Sequence, residues 1–140
     1  MIVVDTNVLA YLLLPGPRTE LAEALRMRHR QWAAPPLWRS EFRSVLTTHL
    51  RQELLKLSDA IALMQKAERI FSAHEAAVAS DHVLQLVNTS RCSSYDCEFV
   101  AAAQQLGVSL ITEDRVILTA FPDVAQSLHQ ATSRGAASWE

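Results

Sequence analysis

The stretch Ile2-Val3-Val4-Asp5-Thr6-Asn7 closes a short apolar run on a carboxylate and two small polar residues. Ile2 to Val4 read as a short buried strand. Asp5 then stands at the strand's carboxyl end, where open α/β sheets keep their sites. A carboxylate is costly to hold there unless a cation, a hydrogen bond or solvent compensates it. What else reaches that edge therefore decides what the chain does.

Beyond this strand, short apolar runs alternate with helical patterns. Thr6 or Asn7 is the expected cap of a first helix through Leu14, and Pro15-Gly16-Pro17 breaks it. A second helix is expected from about Thr19 to His29 with Leu21, Ala22 and Leu25 inward, followed by a weak strand at Trp32-Ala33-Ala34. Phe42, Val45, Leu46 and Leu50 recur at spacings of three and four, which predicts a helix from about Leu37 to Leu55 with Glu41 in its first turns. Ser58-Asp59 is read as the cap of the next helix, with Leu57, Ile61, Met64 and Phe71 on its apolar face. Ala77-Val78-Ala79 is a strand candidate, and Ser80-Asp81 the cap of a helix carrying Val83, Leu84 and Val87.

Ser93-Ser94-Tyr95-Asp96 starts a further helix, with Phe99, Val100, Ala103 and Leu106 buried before Gly107 ends it. Val108 to Thr112 is the clearest internal strand, and Glu113-Asp114 marks its exit. A helix and a strand remnant near Val124 complete one domain over residues 1–128, leaving 129–140 as a flexible or partner-bound tail. Alternating strands and helices predict an α/β/α sandwich with a short central parallel sheet of four to five strands.

Composition bounds the function. The chain has 140 residues, 49% of them hydrophobic, enough for one core. Val8 to Leu14 falls far short of the roughly 20 residues that span a bilayer, so no membrane association is expected and the protein is placed in the cytoplasm. Cys92 and Cys97 read as free thiols, and the five histidines show no zinc-ligand spacing. Net charge is −2, yet the first half is basic and the second acidic, with Arg26, Arg28, Arg30, Arg39, Arg43 and Arg51 concentrated in one stretch. Arginine suits bidentate contact with phosphate; a solvated helix face explains such a run equally well.

Right-handed crossovers bring the strand ends to one edge. Asp5 and Asp114 fall there directly, and Glu41 and Asp96 lie near the N-termini of helices that start from it. Four carboxylates so placed raise one another's pKa unless a cation neutralises them. Oxygen ligands without His or Cys suit Mg²⁺ or Mn²⁺, with room left for waters and phosphate oxygens. Such an ion activates water and stabilises a departing oxygen, which is phosphodiester chemistry.

In order and spacing, Ile2-Val3-Val4-Asp5-Thr6-Asn7, Ser40-Glu41-Phe42, Tyr95-Asp96-Cys97-Glu98-Phe99-Val100-Ala101-Ala102-Ala103 and Leu110-Ile111-Thr112-Glu113-Asp114-Arg115 resemble the four motifs of PIN-domain ribonucleases. Size and the start at Met1 resemble the VapC-type toxins of bacterial type II toxin-antitoxin pairs. The resemblance spans about residues 1–125 and implies a metal-dependent endoribonuclease, a homodimer, and inhibition by a cognate antitoxin. It makes Asp5, Glu41, Asp96 and Asp114 the catalytic, metal-holding acids, with Asp5 and Asp96 the direct ligands. Thr6, Asn7 and Thr112 match small polar positions that orient carboxylates, although capping explains Thr6 and Asn7 as well. Glu98 and Glu113 are candidate accessory acids, and Cys97 departs from the small residue expected after Asp96.

Two other acidic sites fit less well. Hydrolases with an aspartyl nucleophile want a second Asp where Asn7 stands, and phosphoreceiver domains want a late lysine, whereas the lysines here are Lys56 and Lys66. A non-cleaving RNA- or protein-binding domain of this fold and a housekeeping RNA-processing nuclease are the alternatives to a toxin. For substrate, Arg39 and Arg43 beside Glu41 are the expected phosphate contacts. Val8, Leu9, Leu12, Leu13 and Pro15 are weighed as part of a groove for an antitoxin helix, against plain core packing.

Overall fold

In the computed structural model, which describes residues 1–133, four parallel strands form one sheet in the order β2-β1-β3-β4. These are β1 (Ile2–Val4), β2 (Trp32–Ala33), β3 (Leu110–Ile111) and β4 (Ala125–Gln126). Val3 is in register with Ala33 on one side and with Leu110 on the other, so the opening strand is central. Every residue of β1 is buried, as a strand covered by helices on both faces must be.

Eight helices among the described residues flank this sheet: α1 (Thr6–Leu13), α2 (Thr19–Arg28), α3 (Trp38–Arg51), α4 (Leu57–Phe71), α5 (Ser80–Asn88), α6 (Ser94–Leu106), α7 (Arg115–Ala120) and α8 (Leu128–Thr132). Trp32, Trp38, Phe42 and Phe71 fill the core beside the strands, with the Trp38 and Phe71 rings 4.7 Å apart. α3 stops at Arg51, short of the expected Leu55, because Glu53 turns into the left-handed region at φ 59°. Gly107 closes α6 in the same conformation, at φ 68°, which costs a residue without Cβ little.

Several local expectations are corrected. α1 is capped by Asp5 itself, which puts Thr6 and Asn7 inside the first turn. Val8, Leu9 and Leu13 are buried core and cannot line an exposed groove. In α4, Asp59 accepts the Lys56 N–H from the first turn, the buried positions are Ala60, Ala67 and Phe71, and Leu57 and Ile61 face outward. No strand forms at Ala77–Ala79; the chain touches the sheet two residues earlier, where Glu75 bridges to Ala34 in parallel. α5 has no side-chain cap, and it buries Val83 and Leu86 rather than Leu84. The segment expected as a tail begins as α8, capped by Ser127 and tied to α2 by the Arg28 guanidinium donating to the Ser133 carbonyl at 2.9 Å. The rest of that segment, 134–140, lies outside the described residues.

Candidate active site

Asp5 leaves β1 with its N–H bonded to the Ile111 carbonyl at 3.1 Å, so the sheet itself fixes where the carboxylate starts. Its Oδ1 accepts the Val8 N–H at 3.1 Å and its Oδ2 accepts the Thr112 hydroxyl. One carboxylate therefore caps α1 and faces the strand ends together. Asp5 is 9% exposed, and burial pushes its carboxyl from 3.8 up to about 6 against the pull of the Thr112 hydroxyl.

The other acids come from three different elements. Glu41, one turn into α3, accepts the buried Thr6 hydroxyl at 2.6 Å. Asp96, in the first turn of α6, is held by its N–H donating at 3.1 Å to Ser93, the cap of that helix. Asp114 caps α7, accepting the N–H groups of Val116 and Ile117 at 2.8 and 3.2 Å, while its own N–H donates to the Thr112 hydroxyl at 3.0 Å. Thr112 thus links Asp5 to Asp114.

Asp5, Glu41, Asp96 and Asp114 line one cleft of about 270 Å³, together with Thr6, Asn7, Ser44, Val45, Phe99 and Ile117. Burial raises the carboxyls of Glu41 and Asp96, and each is raised further by a neighbouring charge, Asp96 acting on Glu41 and Asp114 on Asp96. Asp5, Glu41 and Asp96 thus hold their negative charge reluctantly.

Among the described residues, no three Asp, Glu, His or Cys side chains form a ready-made metal cage. Mg²⁺ does not require one, since it usually takes one or two protein carboxylates and keeps several waters. An all-oxygen donor set, crowded and partly desolvated, fits a hard divalent cation. Asp5, Glu41, Asp96 and Asp114, which line the one cleft, are the groups that could hold it.

Neither accessory acid lines this cleft, although burial, and with it the charge of Glu41, raises the Glu98 carboxyl. Glu113 accepts the Leu128 N–H at 3.0 Å and faces Arg18 at 3.6 Å, while Glu98 lines a separate hollow with Val78, Ser80, Val83 and Leu84. Arg39 is held by Glu68 and Glu75, both at 2.7 Å, and lies over the Trp38 ring. Arg43 is exposed. At about 100° per residue, Arg39 and Arg43 lie on the side of α3 opposite the Glu41, Ser44 and Val45 stripe that faces the cleft. Ser44 and Val45 were not anticipated, although their positions three and four residues after Glu41 put them on its face.

A family model described as PIN domain matches residues 2–124. Ribonuclease VapC3 of Pyrobaculum aerophilum is 28% identical over 124 residues, covering 86% of this chain and 95% of that protein. Two crystal structures share the fold. PAE2754 from Pyrobaculum aerophilum aligns with a TM-score of 0.72 at 21% identity, over 98% of this chain and 97% of its own. FitAcB from Neisseria gonorrhoeae aligns with a TM-score of 0.69 at 20% identity, over 89% of this chain and 95% of its own.

Proposed function

Because the chain belongs to the PIN-domain family, we propose that it is a divalent-metal-dependent endoribonuclease, the toxin of a toxin-antitoxin pair. The observation that carries this reading is the meeting of Asp5, Glu41, Asp96 and Asp114 in one cleft at the carboxyl edge of the sheet. The likeness to a ribonuclease named VapC3 supports RNA as substrate and an antitoxin protein as partner. A homodimer in the cytoplasm completes the proposal; no helix among the described residues is long and apolar enough to cross a membrane.

Bound Mg²⁺ or Mn²⁺ would supply the positive charge that makes water nucleophilic near neutral pH and offsets charge on the departing oxygen. The chain's own groups do the positioning. Thr112 and the Val8 N–H fix both oxygens of Asp5, Thr6 fixes Glu41, and helix caps fix Asp96 and Asp114. Val45, Phe99 and Ile117 form apolar walls that keep the local dielectric low and strengthen each charge interaction. Without a metal, burial pushes the Asp5 carboxyl up to about 6, and a bound cation would favour its ionised form.

The test is cleavage of single-stranded RNA by purified protein with Mg²⁺ or Mn²⁺. Chelator and Asp5→Asn should each abolish it. Cleavage that survives both treatments removes the metal mechanism, and tight RNA binding with no cleavage under any divalent ion supports a non-cleaving domain instead.

A further inference from the structure

Residues 71–140 carry only three Lys or Arg residues, Arg91, Arg115 and Arg134, against eight Asp or Glu. Two of the three converge on one place. Arg91, in the loop between α5 and α6, and Arg115, at the start of α7, line a cleft of about 710 Å³ that contains no Asp or Glu among its lining residues. Both side chains are exposed. Val116, half exposed, and Ala120 give the cleft an apolar wall, with Asn88 and Thr119 at its polar rim.

The position of this cleft gives it meaning. Asp114 and Ile117 line the acidic cleft while Arg115, Val116, Thr119 and Ala120 line the basic one, so α7 is the partition between them. On the other wall, Arg91 precedes Cys92, whose thiol is raised by burial and also feels the charges of Asp96 and Asp114. Three arginines of the Arg-rich stretch have partners elsewhere, while Arg43 is exposed on the side of α3 away from the acidic cleft. Arg39 pairs with Glu68 and Glu75, Arg26 lies over Trp32, and Arg28 donates to α8.

We propose that the Arg91–Arg115 cleft is a phosphate-binding subsite for the RNA strand, gripping a phosphodiester next to the one that enters the acidic cleft. The identity of the occupant rests on the ribonuclease reading. Two guanidiniums without a competing carboxylate complement a polyanion, and an apolar wall beside them suits the sugar and base faces of a single strand. Such a grip lets a site crowded with four acids hold a negatively charged substrate.

The experiment compares wild type with an Arg91→Ala/Arg115→Ala variant. Binding of a fluorescent single-stranded RNA is followed against salt in chelator, and kcat/KM against RNA length with Mg²⁺. Loss of two phosphate contacts should lower the salt slope by about 1.4, at about 0.7 per contact for single strands. Most of the gain in kcat/KM on lengthening the RNA should also disappear. Arg91→Lys/Arg115→Lys keeps both charges and should keep the slope, which separates lost charge from lost fold. An unchanged slope in the alanine variant overturns the subsite while leaving the nuclease reading intact. A slope that falls as expected in a chain that cuts no RNA keeps the subsite and removes the nuclease reading. If the alanine variant binds RNA as wild type does but sediments at a different mass, the cleft is a contact between copies and the subsite is wrong.

Discussion

The Thr112 hydroxyl donates to Oδ2 of Asp5, tying the exit of β3 to the exit of β1 across 107 positions of sequence. Its oxygen also accepts the Asp114 N–H at 3.0 Å. One small side chain thereby orients two of the four acids. Partners that orient metal-holding groups typically matter by about 10–100-fold in metal affinity or activity. Thr112→Val should raise the Mg²⁺ concentration for half-maximal cleavage by about that factor, and Thr112→Ser should recover most of the loss. An unaltered Mg²⁺ requirement in the valine variant means that Thr112 only packs.

Thr6 plays the corresponding part for Glu41, donating to it at 2.6 Å and so favouring its ionised form against burial. Removing that donor raises the Glu41 carboxyl further. If cleavage needs Glu41 ionised, the acid limb of the pH–rate profile should move to higher pH in Thr6→Val and return in Thr6→Ser. A fixed limb would mean that Glu41 does not control it.

The raised carboxyls also set how stability depends on pH without metal. Asp5 has a folded value of about 6 against 3.8, so folding favours its protonated form. Its contribution is fully present below about pH 4 and is lost as pH rises through about 6, and Glu41 and Asp96 act in the same direction. At about 1.4 kcal/mol per pKa unit the Asp5 share is about 3 kcal/mol. Melting temperature in chelator should therefore fall between pH 4 and 6, and Mg²⁺ should restore it at pH 7. Asp5→Asn, uncharged yet able to accept the Val8 N–H, should flatten the fall; an equally steep fall in that variant assigns it to other groups.

The placement of the acids was legible because Asp5 and Asp114 follow apolar runs and Glu41 and Asp96 lie in the first turns of helices. The resemblance to the PIN motifs set them apart from other first-turn acids such as Asp59 and Asp81. Thr6 and Asn7 were not resolved because capping residues and site residues share the same chemistry. Asp5 caps α1 and also lines the cleft, leaving Thr6 to reach Glu41, 35 positions away. The strand expected at Ala77–Ala79 failed for another reason. Three small apolar residues carry no period, and the actual sheet contact uses the backbone of Glu75, to which hydropathy is blind. The pairing of Arg39 was equally invisible, since Glu68 and Glu75 arrive from distant positions.

That last contact gives a further expectation. Arg39 joins two carboxylates and the Trp38 ring on the side of α3 away from the cleft. Partly exposed pairs of this kind contribute little singly, and the group together stabilises by about 1 kcal/mol. Arg39→Ala should lower the melting temperature slightly and leave the salt slope of RNA binding unchanged. A slope lowered by about 0.7 would restore Arg39 as a phosphate contact.

Asp114 separates structure from chemistry most directly, because its Oδ1 caps α7 through two N–H groups while the residue lines the acidic cleft. Asn caps as well as Asp, whereas Ala does not and costs about 1 kcal/mol at such a position. Asp114→Asn should therefore keep its melting temperature to within a degree or so and still lose about two orders of magnitude in kcat, the equivalent of about 3 kcal/mol of charge stabilisation. Asp114→Ala should lose the same activity and also melt lower. If Asp114→Asn cuts RNA at the wild-type rate while Asp114→Ala is merely unstable, the fourth acid is a helix cap and the chemistry belongs to Asp5, Glu41 and Asp96.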